Sequence, residues 1–406
     1  MVKPLEGIRV IDFTLGQHGP AGTAMLGDMG AEVIHIEPPE GDFTRGFLKI
    51  SGLPASLAGG RNFYFETNNR NKKSFTLDLK KEKAREIVYR LVEKSDIFVT
   101  NFLRPAVAKL GLDYETLSQR NPKLIYAVAS AWGPSGPDAD KPGLDYAAQG
   151  RSGFMFTVGE SHAPPSLATA GLADQTGAII LAYGIMTALV ARERFGIGQM
   201  VNTSLLGSMM HLEALNVSSQ LLLGSVLPRQ DRATVNNPLW NHYECGDGKW
   251  IAIAMLQADR YWPFLLKALG LQELEKDPRF ENYEKRTENS RELVSIFDRT
   301  FATKSRDAWV EILSKSEGHL ICGPIKTIDE SVQDVQVLAN DYVVEFDHPV
   351  WGRIKAPGFP VRLSKTPASI DRSAPELGEH TEMILTETLA YTWDEVSEFK
   401  AEGVIL

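Results

Sequence analysis

Only two cysteines, Cys245 and Cys322, occur in the 406 residues, too few for a disulfide framework. No CxxC or Cys/His cluster offers metal-ligand spacing, so the usual structural zinc sites are excluded. What remains for the two thiols is packing as small apolar side chains. Basic residues are also in the minority: 43 Lys and Arg stand against 52 Asp and Glu, a formal net charge of −9. A nucleic-acid binder should carry a basic face or stripe, and this chain does not. Any anionic ligand must then be met by local Lys and Arg. The start MVKPLEGIRVIDF lacks an apolar signal region behind a basic flank, and the longest apolar run, Ala178 to Ala191, is shorter than a membrane span. The expectation is a cytoplasmic protein with neither a nucleic-acid nor a membrane partner. Internal repeats and low-complexity tracts are lacking as well, and the 34 Gly and 22 Pro are spread along the chain.

What is present reads as an α/β enzyme. A chain of this length is too long for one comfortable core, so two domains are expected. Gly7 to Phe13 is a β-branched run that stops at Thr14-Leu15-Gly16-Gln17-His18-Gly19-Pro20; Ala21 to Met29 reads as a helix and Glu32 to Ile36 as a second strand. This is a βαβ unit, and ligands in open α/β sheets bind at the carboxyl ends of such strands. The GxGxxG fingerprint is missing from the loop, so nothing here argues for a dinucleotide. Further strands over Phe75–Leu79, Asp96–Thr100 and Leu124–Ser130 alternate with helices, which points to a doubly wound parallel sheet. Glu37 to Asn68 reads as a long loop of the kind that covers sites. Val201–Leu205 reads as a strand and Leu206–Leu223 as one helix. After Gly224 a polar linker leads to a hairpin turning at Gly246-Asp247-Gly248 and then to helices. The expected division is a large α/β domain over 1–223, a smaller α+β domain over 224–325, and a return segment over 326–406 that completes the large domain.

Two features carry candidate chemistry. Arg70, Lys72, Lys73 and Lys80 lie near the two ends of one strand, a run that reads either as a solvated face or as cations placed to meet phosphate. Asp174 is the only charge between Leu167 and Ala191, where a small-residue approach becomes a long apolar helix. On spacing alone a helix cap is the stronger reading, because Asp oxygens accept the orphan N–H groups of a first turn. The alternative is a carboxylate whose ionised form is favoured by the helix dipole and which serves as a nucleophile or base.

PLEGIRVIDF, GAEVIHIEPP followed by GD and TRG, NRNKKSFTLDL, IFVTNFLRP with Lys109-Leu110-Gly111, NPKLIYAVAS, WGPSGP and the closing GEHT occur in that order along nearly the whole chain. Together they resemble the class III coenzyme A transferases, the family of formyl-CoA and carnitine CoA-transferases. The resemblance implies an interlocked homodimer, acyl-CoA and organic acid substrates, and no permanently bound cofactor, coenzyme A thioester being a substrate. It also implies that Asp174 is the catalytic aspartate, attacking the acyl-CoA carbonyl through a mixed anhydride and an aspartyl-CoA thioester, and that Gln17 helps hold the adduct. Leu77, Lys80, Asn101, Phe102, Lys109 and Lys141 match positions that contact coenzyme A, and His18 and Asp145 are placed with them.

The departures narrow the expectation. Leu144-Asp145 replaces the tyrosine-acid pair of many relatives, and no glycine-rich loop is evident near Ala254-Met255-Leu256-Gln257, which argues against oxalate as acceptor. The related α-methylacyl-CoA racemases carry a histidine where Leu144 stands, so a racemase-like isomerase is the alternative reading, with His18 or His162 as substitute imidazoles. A binding protein without turnover is a third reading, opposed by the presence of both Asp174 and Gln17.

Overall fold

The computed structural model describes residues 2–406 and divides into two compact units. The first comprises Met1–Met155, Leu167–Val226 and Ala339–Leu406; the second comprises Phe156–Ser166 and Leu227–Leu338.

The first unit is a six-stranded sheet with helices on both faces. In chain order its elements are β1 (Arg9–Phe13), α1 (His18–Asp28), β2 (Glu32–Glu37), a small hairpin of β3 (Lys49–Ile50) and β4 (Leu53–Pro54), α2 (Phe63–Asn69), β5 (Lys72–Thr76), α3 (Glu82–Val92), β6 (Ile97–Thr100), α4 (Arg104–Lys109), α5 (Tyr114–Arg120), β7 (Ile125–Ser130), α6 (Asp145–Ser152), α7 (Leu172–Phe195), β8 (Gln199–Ser204), α8 (Leu205–Leu212) and α9 (Ala214–Leu223). The sheet order is β5-β2-β1-β6-β7-β8, and every pairing is parallel. The order reverses between β1 and β6, so the loops after these two strands diverge and leave a crevice at their carboxyl ends.

Alternation along the strands divides the core. Ile11, Ile34, Phe75 and Phe98 face one layer with α3 and the C-terminal Ile384, Leu385 and Phe399. Val10, Val33, Ile97 and Ile125 face the other, against Leu26 of α1 and Leu181, Ile185 and Leu189 of α7. At 24 residues α7 meets the length and hydropathy of a membrane-crossing helix, with 39% of its most apolar window buried. It exceeds the apolar run seen in the sequence because the helix continues through Arg192-Glu193-Arg194 to Phe195 before Gly196 ends it. The edge strand β5 is covered by the returning chain: Gly378 N–H donates to Ser74 Oγ at 2.8 Å and Thr76 N–H to Thr381 Oγ1 at 3.1 Å. The span read as one helix over Leu206–Leu223 is two, interrupted at Glu213.

The second unit has an antiparallel sheet of β9 (Trp240–Glu244), β10 (Trp250–Ala254) and β11 (Cys322–Ile325), with β10 central. Its core gathers Tyr243 and Ile251 from the sheet with Trp262, Leu266, Phe297 and Trp309 from the helices. Cys245 and Cys322 are free thiols. In the first unit the final hairpin, β12 (Val343–His348) with β13 (Gly352–Pro357), turns next to Trp351.

Candidate active site

The β1–α1 loop is fixed at two successive residues. Asn101, just past β6, accepts from Leu15 N–H at 3.0 Å and donates to the Leu15 carbonyl at 2.6 Å. Asp42 accepts from Gly16 N–H at 3.3 Å. Gln17 follows as the residue that opens α1, with no capping bond from its side chain. Its Oε1 instead accepts from the Tyr64 hydroxyl at 3.1 Å.

Beneath the loop lies a buried ionic network. Lys72 Nζ donates to Asp12 Oδ2, the Pro20 carbonyl and Asn69 Oδ1, each at 2.8 Å. His35 Nδ1 meets the same Asp12 oxygen at 3.1 Å, and Thr23 donates to it at 2.9 Å. Burial opposes charge on Asp12, but Lys72 and His35 override it and hold the carboxyl well below its usual range. His35 is pushed up, its burial being outweighed by Asp12. Three of the four cations in the basic run are paired within the protein, Lys72 here, Arg70 with Asp28 and Lys73 with Glu32, while Lys80 lies on the surface.

At the N-terminus of α7 the structure separates capping from Asp174. The helix is opened by Gly171, whose φ of 76° lies in the left-handed region, and Asp174 falls in the first turn rather than at the cap. The orphan donors go to Asp145 at the start of α6: its carboxylate accepts from Ala173 N–H at 2.7 Å, Gly171 N–H at 3.1 Å and Asp174 N–H at 3.3 Å, with Gln149 Nε2 at 2.9 Å. The cap reading of Asp174 therefore fails. Its carboxylate has no hydrogen bond or ion pair among the described residues. Burial, followed by the like charge of Asp145, pushes its pKa up to about 7.

Small residues bring the surrounding groups close. A Cβ on Gly171 would stand 2.9 Å from Gln17 Oε1, and one on Gly177 would stand 2.7 Å from His18 Nε2. His18 is wedged against α7 at 4% exposure, with no hydrogen-bond partner for Nε2, and burial lowers its pKa to about 4. It is a neutral imidazole.

Gln17, His18, Asn101, Phe102, Lys141, Asp145 and Asp174 all line one cavity of about 930 Å³ in the first unit. Leu77, Lys80 and Lys109 do not line it. Leu77 is buried in the core, 1% exposed, while Lys80 and Lys109 are exposed. His162 lies in the second unit, where it faces Asp231 at 3.4 Å and Glu160 at 3.9 Å on the surface. Tyr64, Phe43 and Phe47 line the cavity and were missed in the sequence. Tyr64 sits on α2, inside the span read as loop. Asn62, whose side chain accepts from Tyr64 N–H at 2.9 Å, was the available signal for a helix start there.

The profile of CoA-transferase family III matches residues 5–381. A formyl-CoA:oxalate CoA-transferase of Streptomyces avermitilis is 32% identical, the match covering 100% of both chains. An (R)-2-hydroxy-4-methylpentanoate CoA-transferase of Clostridioides difficile is 30% identical over 99% of each. Among solved structures, a CAIB/BAIF family protein from Brucella suis superposes with a TM-score of 0.83 at 31% identity, covering 95% of this chain and 100% of that one.

Proposed function

We propose that this chain, which belongs to CoA-transferase family III, moves coenzyme A from an acyl-CoA to an organic acid with Asp174 as nucleophile. The observation that carries this is the bare carboxylate: Asp174 lines the cavity without a partner, while Asp145 takes the helix donors that would otherwise engage its lone pairs.

The ionised Asp174 oxygen attacks the thioester carbonyl, forming the C–O bond of a mixed anhydride as the C–S bond breaks and coenzyme A leaves as thiolate. The thiolate then attacks the aspartyl carbonyl of the anhydride, releasing the first acid as carboxylate and leaving an aspartyl-CoA thioester. The acceptor carboxylate attacks that thioester in turn, and thiolate attack on the new acyl carbonyl returns Asp174 as carboxylate. No proton or electron is left over. Gln17, held by Tyr64, is positioned to donate its amide N–H to the adduct, and the buried network beneath keeps its loop in register. Asn101 acts through Leu15 in this reading, because its amide is already spent there. Phe102 and Lys141 remain the coenzyme A contacts that the cavity supports.

A homodimer fits the large apolar side chains left exposed on α7 and α9, among them Ile179, Tyr183, Leu215, Leu221 and Leu222. The racemase alternative gains no support: Leu144 offers no proton, and burial of His18 lowers its pKa to about 4, which makes it a weak base.

The test is intact-protein mass spectrometry after incubation with a panel of acyl-CoAs, with hydroxylamine trapping and peptide mapping. An adduct on the Asp174 peptide is expected, forming faster as pH rises through about 7 because only the ionised group attacks. Asp174→Ala should bind coenzyme A and lose transfer; near-normal transfer in that variant would remove Asp174 from the mechanism.

A further inference from the structure

We propose that His35 is a positioning residue for the transfer step: as an imidazolium between Asp12 and Asp42 it holds the Asp42 carboxylate on the Gly16 N–H, and so keeps the Gln17 loop in place. The proposal rests on the transferase reading above. Asp12, His35, Glu37, Asp42 and Lys72 are each at most 1% exposed within a single chain, so a partner subunit adds nothing to their contacts.

The geometry comes from strand register. β2 lies between β1 and β5, with His35 opposite Asp12 on one side and Ser74 on the other. Its Nδ1 meets Asp12 Oδ2 at 3.1 Å, and its Nε2 lies 4.0 Å from Asp42 Oδ2. That second nitrogen has no hydrogen-bond partner among the described residues. A neutral ring would present a lone pair to one of the two carboxylates, whereas the imidazolium presents an N–H to each. Across 4.0 Å the Nε2 contact is Coulombic, and burial leaves it weakly screened.

Charge counting gives the same answer. Facing His35 are Asp12 from β1, Lys72 from β5, Glu37 from its own strand and Asp42 from the loop that follows. From the helices come only the uncharged Thr23 hydroxyl of α1, bonded to Asp12, and the Phe65 ring of α2 at 6.3 Å. Lys72 answers Asp12 at 2.8 Å and Arg45 answers Glu37 at 2.7 Å. Among the described residues, His35 is the one cation within 4.0 Å of Asp42. Three buried carboxylates and two cations therefore balance only when His35 carries the third positive charge. In agreement, burial works against that charge, but Asp12 and then Glu37 outweigh it and raise the His35 pKa. The Asp42 carboxylate so held accepts from Thr44 N–H and Oγ1, each at 2.8 Å, and from Gly16 N–H at 3.3 Å. Gln17 is the next residue.

The experiment uses the full-length chain and takes two readings from about pH 5 to 9.5. One is hydrogen exchange at the Gly16 amide, corrected for its intrinsic rate; the other is adduct formation on the Asp174 peptide with acetyl-, butyryl- and succinyl-CoA, each at saturation. Wild-type adduct formation should rise through about 7 as Asp174 ionises, then fall about tenfold on the alkaline side in step with lost Gly16 protection. His35→Lys supplies a cation that keeps its proton there and should retain both. His35→Gln, neutral at every pH, should run about tenfold below wild type at neutral pH and lack the alkaline fall. Asp42→Asn cuts the same link from its other end, should give the same profile, and stands in where His35→Gln does not fold. A wild-type profile that stays level on the alkaline side, or a fall that His35→Lys shares, overturns the proposal, while the adduct itself keeps the transferase reading. No adduct with any donor overturns both.

Discussion

Replacing Asp174 by Asn should stabilise the folded protein, and the gain should depend on pH. In the unfolded chain this carboxyl titrates near 3.8, and in the folded chain near 7. Between those values the native state holds a proton that the unfolded state has released, so the wild type loses stability as pH rises. The loss grows from about pH 4 and flattens above about 7. At 1.36 kcal/mol per pH unit of separation the ceiling is about 4 kcal/mol, and water reaching the cavity side of the carboxylate reduces it to about 2 kcal/mol. Asn mimics the protonated acid and escapes the loss altogether. Thermal melts of both proteins from pH 5 to 8.5 measure it, the expected advantage of Asp174→Asn on the plateau being about 4 to 8 °C in Tm for a unit of this size. Intact mass taken alongside guards against deamidation back to Asp. A Tm difference that stays flat across the range, or that favours the wild type at pH 8, would refute the unpaired, burial-strained carboxylate on which the assignment rests.

Three further substitutions probe the scaffold. Asp145→Ala removes the acceptor of three backbone N–H groups at α7 and should cost about 1–2 kcal/mol in denaturant titrations. With the like charge gone, it should also move the pH midpoint of adduct formation downward. Gly171→Ala places a Cβ 2.9 Å from the Gln17 amide at a φ of 76°; steady-state assays should show transfer falling about tenfold or more, at a stability cost of about 1–2 kcal/mol. Lys72→Met leaves Asp12 buried without its cation and should destabilise by about 3–5 kcal/mol in equilibrium unfolding. Asp12 is held low in the folded protein, so its contribution is present above about 3.8 and disappears as pH falls. The penalty of Lys72→Met should therefore be larger at pH 7 than in acid.

The parallel sheet was legible because β1, β2, β6 and β7 are short, largely apolar runs that stop within a few residues of Gly, Pro or Asn. The crevice after β1 and β6 followed from their order. The break at Glu213 was not legible, since Leu205 to Leu223 carries continuous helix-forming composition and the interruption leaves the carboxylate 7% exposed. The basic run misled for a similar reason. Lys72 has the composition of a surface residue, and only the register of β5 beside β2 turns it inward to Asp12. The cavity wall of Phe43, Phe47 and Tyr64 was hidden inside a span whose Gly and Pro content reads as loop. A resemblance supplied Asp174, but its lack of a cap partner depends on Asp145, far away in sequence.

Those two acids explain each other. A carboxylate at the start of α7 that accepted the helix N–H groups would have its lone pairs occupied and its basicity lowered, which suits a cap and spoils a nucleophile. Asp145 accepts those donors from the start of α6, where it also holds Gln149. Asp174, in the first turn of the helix, is then under-solvated and repelled by its neighbour, and these are the two causes that raise its pKa. The two acids thus take different tasks, one as acceptor of helix donors and one left bare. The same reasoning accounts for the small residues: Gly171 lets the chain turn into α7 beside Gln17, and Gly177 lets the His18 ring approach the helix closely. Enlarging either would move a neighbour of the carboxylate before it moved the carboxylate itself. On the transferase reading, the local sequence therefore serves the spacing around Asp174 more than the stability of the helix that carries it.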